Sequence, residues 1–88
     1  MKIAFCKIYD NQIYYLASVK KIRKIIKNNP YCLKDILVVQ DFLGKIDFFV
    51  KDVVLAETFK NVHKARMYEL RHCVSPTLKL IDLDKLEA

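Results

Sequence analysis

The stretch DILVVQDFLGKIDFFVKDVV, residues 35–54, has two readings, and the choice between them decides the fold. Wound as a helix, Ile36, Val39, Leu43, Ile46, Val50 and Val53 recur at alternating spacings of three and four, a heptad-like series. Extended, residues 36–43 and 46–50 become two strands, with Gly44 and Lys45 as a two-residue turn of the II′ type. The density of β-branched and aromatic residues favours strands, because such side chains lose rotamer freedom in a helix and pack well on a pleated surface. Gly44 favours the same choice, since glycine weakens a helix interior and supplies turn geometry. Both faces of this hairpin mix apolar and charged residues, which fits a sheet covered in part on both sides.

Upstream, KIAFCKIY (2–9) and IYYLAS (13–18) read as a hairpin about Asp10, Asn11 and Gln12. With Asn11 and Gln12 as the loop, Ile8 faces Tyr15, Cys6 faces Ala17 and Ala4 faces Val19. That face is wholly apolar and is expected in the core. The other face carries Lys7, Tyr9, Tyr14 and Leu16, and a loop longer by one residue would invert the second arm.

Between the hairpins lies SVKKIRKIIKNNP, residues 18–30. Ser18 is suited to cap a helix, because its hydroxyl accepts from a free N–H of the first turn. Asn28, Asn29 and Pro30 end it, since proline disfavours helical geometry in the residue before it. At ~100° per residue, Val19, Ile22, Ile25 and Ile26 share one side, and Lys20, Lys21, Arg23, Lys24 and Lys27 share the other.

Downstream, residues 55–73 read as a second helix with Leu55, Phe59, Val62 and Leu70 turned inward, broken by Ser75 and Pro76. TLKLID (77–82) alternates as a last strand, and the tail adds a helical turn. The expected order is ββαββαβ, a single α+β domain over residues 1–88 with two helices on a mostly antiparallel sheet.

Composition bounds the remainder. Apolar residues make up 53 % of the chain, with one glycine and two prolines, which argues against disorder. That is more apolar surface than one small core needs, so a homodimer is expected. Three cysteines (Cys6, Cys32, Cys73) without a CxxC pair fit a reducing, cytoplasmic setting. The first residues lack a secretory apolar core, and no run approaches the ~20 apolar residues that span a bilayer, so no membrane partner is expected.

The net charge of +6 is unevenly placed. Residues 1–34 hold eight lysines and arginines against Asp10 alone, a net of +7, and residues 35–88 hold eight against nine acids, a net of −1. The helix carrying five of these cations has no acid to offset their repulsion. Lys20 and Lys21 sit in its first turn, where the helix dipole disfavours cations by ~0.3–1 kcal/mol each. A phosphate placed there reverses that sign.

These features lead us to expect a small nucleic-acid-binding protein without catalytic activity. Lys20, Lys21, Arg23, Lys24 and Lys27 would contact phosphates, with Lys2, Lys7 and Lys34 extending the patch. Tyr9, Tyr14 and Tyr15 beside Lys7 could stack bases, although packing on a half-buried sheet explains them as well. An alternative is a regulatory interaction module, of the kind phages and plasmids encode, that docks on an acidic protein surface. A third reading is a small toxin-type ribonuclease, a likeness of size and charge alone, with His63 or His72 as acid or base near Arg66, Tyr68 and Arg71. No cofactor or metal is expected, because His63, His72 and Cys73 fit no zinc spacing. Asp35, Asp41, Asp47 and Asp52 form no acid–base pair in the hairpin reading, and Gly44 stands alone without a phosphate-binding loop.

Overall fold

The computed structural model describes residues 1–28, 35–72 and 77–86, with the side chains of Ile25 and Leu86 excepted. Asn29 and Pro30, Cys32, Lys34, Cys73, and Ser75 and Pro76 lie outside the described residues.

The ambiguous stretch is a hairpin of β3 (Ile36–Gln40) and β4 (Ile46–Val50), with Gln40 opposite Ile46 and Ile36 opposite Val50. Its loop differs from the expected two-residue turn. The Asp41 N–H donates to the Lys45 carbonyl at 2.9 Å, and the Leu43 and Lys45 N–H groups both donate to Asp41 Oδ1 at 2.9 Å. Phe42, Leu43 and Gly44 therefore form a three-residue loop, with Gly44 at φ +87°. An aspartate ahead of the turn supplies acceptors for amides that the reversed chain would otherwise leave unbonded, and glycine alone takes the left-handed position without strain.

β1 (Ile3–Tyr9) and β2 (Gln12–Ala17) form the first hairpin. Its two loop residues are Asp10 and Asn11, at φ 51° and 61°, not Asn11 and Gln12. Both central residues have positive φ, as a type I′ turn requires, and aspartate and asparagine tolerate it. Cys6 consequently pairs with Tyr15 and Lys7 with Tyr14. This register differs by two residues from the expected one; a shift of two keeps the strand side chains on their expected faces, but Ile8 is exposed and Val19 lies beyond the strand and is exposed too, so neither joins the expected core.

The six-stranded sheet runs β3-β4-β2-β1, all in antiparallel pairs, and β1 also pairs with β5 (Thr58–Phe59) and β6 (Lys79–Asp82). Cys6 pairs with both Tyr15 and Lys79, so β2 and β6 flank β1 on opposite sides. Ile3 pairs with both Phe59 and Asp82, which places β5 on the β2 side, beyond the point where β2 turns into the first helix. β2 and β3 both run antiparallel to the strand between them, so they are parallel to each other and α1 (Val19–Asn28) is the crossover.

Both faces of the sheet are used. On one, Ile3, Phe5, Tyr14, Leu16, Phe49 and Leu78 pack under α2 (Val62–His72), whose Ala65 is fully buried against them. On the other, Ala17 and Val50 receive Ile22 of α1, flanked by Ile36, Phe48 and Leu55. Beside them Ala4, Cys6 and Tyr15 are covered by Ala56 and by Leu83 of the terminal turn α3 (Leu83–Leu86).

The second helix is shorter than the expected 55–73. Asp52 Oδ1 accepts from the Val54 N–H at 3.0 Å and caps a single 3-10 turn, Val53–Leu55. The chain then adds β5 to the sheet before Asn61 caps α2, its Oδ1 accepting from the Lys64 N–H at 2.9 Å. Leu55 and Phe59 do pack inward, but from the turn and from β5. Val62 and Leu70 are exposed, and Ala65 and Tyr68 face the sheet instead, because the late cap resets the helical phase. The order is thus ββαββ, a 3-10 turn and the short β5, then αβα, within the expected α+β class.

Ile22 is 2 % exposed and, among the described side chains of α1, the buried one. Ile22→Ala should cost ~2–4 kcal/mol, read from urea unfolding midpoints, with α1 the first element to lose amide protection. Burial raises the Cys6 thiol above its usual 9.0 and the Tyr15 phenol above its usual 10.0, with the nearby Cys6 adding to the latter. Burial also raises Tyr68, with Asp47 and Glu57 adding to it. The unfolded chain releases these protons first, so stability is intact below about pH 9 and falls as the pH rises beyond it. Denaturant titrations at about pH 7 and pH 11 should show this loss.

Candidate functional site

α1 forms as its residues dictate. Ser18 caps it, with Oγ accepting from the Lys21 N–H at 3.2 Å and its carbonyl accepting from the Ile22 N–H at 3.1 Å. Ile22 holds the helix on the sheet, and Lys20, Lys21, Arg23, Lys24 and Lys27 are all exposed. Four of them, Lys20, Arg23, Lys24 and Lys27, follow an i, i+3, i+4, i+7 row, so like charges stand one turn apart along its length. Among the described residues, no acid forms an ion pair with any of the five.

The acids are engaged elsewhere. Asp41 and Asp52 close turns, and Asp82 Oδ1 accepts from the Asp84 N–H at 3.0 Å. Asp47 lies 3.8 Å from Lys45, Asp35 lies 3.7 Å from Lys51, and Glu69 pairs with Arg66 at 2.8 Å. The four aspartates of 35–52 therefore serve turns and local pairs, which accounts for them without acid–base chemistry.

The structure divides the remaining cations of the expected patch. Lys2 joins α1: it lines, with Lys21, a cleft of about 520 Å³ on the α1 face of the sheet. Tyr15 forms part of this cleft, and Val54, Ala56 and Leu83 give it apolar walls. Lys7 does not join α1. It alternates with Cys6 along β1 and stands on the α2 face, opposite Tyr14. Tyr14 and Tyr15 are both buried on opposite faces, so they pack instead of presenting a stacking platform, and Tyr9 is exposed beside Tyr14 at 6.4 Å between ring centres. The Lys51 ammonium lies over the Tyr14 ring, 5.8 Å from its centre.

His63 and His72 come together along α2, lining a groove of about 380 Å³ with Lys64, Met67, Tyr68 and Arg71. His72 is stacked on Tyr68 at 4.2 Å, and its backbone carbonyl accepts from the Lys45 ammonium. Arg66 is held by Glu69 and does not line this groove. Among the described residues, no three His, Cys, Asp or Glu side chains gather as a metal site. No described helix is long and apolar enough to cross a membrane.

The cleft escapes sequence reading because its lining comes from Lys2 ahead of β1, from β2, α1, the 53–58 segment and α3, which only the fold assembles. Lys2 carried the one signal, its place in the basic first third. No family model matches the chain, and no curated protein or solved structure matches it.

Cations in the first turn of a helix oppose its dipole and should lower stability. Lys20→Glu, in the first turn, should raise the unfolding free energy by ~0.3–1 kcal/mol at low salt, and added salt should erase the gain. Thermal melts at two ionic strengths check this.

Proposed function

We propose that the protein binds nucleic acid without catalysing a reaction on it, with α1 as the contact element. The observation that carries this reading is the set of five exposed cations, in no ion pair among the described residues, on a helix with no acid. Such a set is unfavourable in the free protein and becomes favourable against phosphates, because the same repulsion is neutralised and condensed counterions are released. Lys20, Lys21, Arg23, Lys24 and Lys27 contact the backbone, and Lys2 extends the surface at the Lys21 end. Phosphate contacts of this kind set affinity and leave sequence choice open.

A second reading is favoured by one specific observation. The β3–β4 loop holds Phe42 at 94 % exposure and Leu43 at 66 %, an apolar tip that fits association with a protein, including a second copy of this chain. In that reading the basic helix docks on an acidic partner surface, and the complex resists nuclease.

Binding of the purified chain to duplex DNA should weaken with salt, log K falling against log salt with a slope of about −4 for four or five contacts. The triple variant Lys20→Glu, Lys24→Glu, Lys27→Glu should fold normally by circular dichroism and lose binding. Unchanged affinity in that variant would refute the proposal. Binding that survives the triple variant but is lost in Phe42→Ser points to the apolar tip.

A further inference from the structure

The α1 cations account for backbone contact, but they leave the cleft beside them unexplained. Its composition is unlike the open helix surface. Lys2 from just ahead of β1 and Lys21 from the first turn of α1 reach it from two separate segments. Thr58 adds a hydroxyl, and Val54, Ala56 and Leu83 add apolar walls beside Tyr15. Asp84, the acid in its lining, is engaged by the Met1 α-ammonium at 3.2 Å, which leaves the two lysines less compensated. At about 520 Å³ the cleft falls within the ~300–1,000 Å³ of small-molecule sites.

Cations and apolar walls in one cavity select an anion with a flat, partly apolar body. A phosphate answers Lys2 and Lys21, which are paired in the free protein with no acid among the described residues. A base answers the aliphatic walls, where burial of its flat face tolerates any base, while Tyr15 is packed in the sheet and only closes the floor. An internal nucleotide of a duplex offers neither its base face nor a doubly charged phosphate, whereas the end of a strand offers both. Lys21 belongs to the cleft and to the cation surface of α1, with Lys24 one turn further along. A strand lying on α1 therefore runs directly into the cleft.

We propose that this cleft holds a terminal nucleoside monophosphate, with its phosphate between Lys2 and Lys21 and its base against Val54, Ala56 and Leu83. This rests on the reading of α1 as the surface that carries the rest of the strand. The ligand chemistry is shared by the phosphorylated end of a strand and by a free nucleotide, and the test separates them.

The full chain is titrated by fluorescence anisotropy with single strands of about ten thymidines, phosphorylated at the 5′ end, at the 3′ end or at neither, and calorimetry follows free thymidine monophosphate. A phosphate at one end should tighten binding about tenfold or more, as charge-assisted bonds to two ammonium groups would. Free thymidine monophosphate should compete away that gain. Val54 lines the cleft and is 82 % exposed, so Val54→Trp adds bulk at its rim without disturbing the core. It should remove the gain. Equal affinity for all three strands, or a gain that survives Val54→Trp, overturns the proposal while the α1 reading stands. Free nucleotide binding that Val54→Trp abolishes, with no strand bound at all, assigns the cleft to free nucleotides and sinks the α1 reading.

Discussion

The register of the β1–β2 hairpin is the constraint on which the rest depends. The turn at Asp10 and Asn11 sets Cys6 opposite Tyr15, and from that pairing each residue of both strands receives its face. One face then offers Phe5 and Leu16, continued across the sheet through Phe49 to Leu37 and on the other side to Leu80. The opposite face offers Ala4, Cys6 and Ala17, small enough for α1, the 53–56 segment and α3 to lie close around Tyr15. A slip of one residue would exchange the two sets and leave neither helix a surface that fits it. The two faces are filled differently. Large residues meet α2, and small residues leave the room beside Tyr15 in which the cleft forms.

Charge follows a similar division. The acids of the later two-thirds close loops, cap turns and pair with nearby lysines, so their placement is explained by local backbone chemistry. The cations of α1 have no such role in the described structure. A helix can carry like charges one turn apart only if something else holds it, and here Ile22 in the groove of Ala17 and Val50 does so. Burial of one face thus supports a surface that is electrostatically unfavourable on the other. Such separation leaves the solvent-facing side free to serve an external anion, because its residues contribute little to the fold.

Much of this was legible from local pattern. The strand reading of 35–54, the Ser18 cap, the bounds of α1 and the assignment of faces in the first hairpin all follow from side-chain period and capping chemistry, and the structure agrees with them. Three of the errors share one cause. The Asp41 loop, the 3-10 turn at Asp52 and the restart of α2 at Asn61 each depend on a side chain capturing backbone amides at a place where helical or turn patterns could also continue. Period alone does not separate those options, and the wrong phase for α2 carried Val62 and Leu70 inward when they face solvent.

The sequence by itself determined the α+β class, the amphipathic cut of α1 and the concentration of positive charge in the first third, because these depend on spacing along the chain. Only the tertiary structure decided which distant residues meet. It placed Lys2 with Lys21 and set Lys7 on the far face, although all three lie in one basic stretch. It also made a cavity from five segments that share no local signal. The physical reason is that strand pairing and helix docking fix distances between residues far apart in sequence, and no periodicity encodes them.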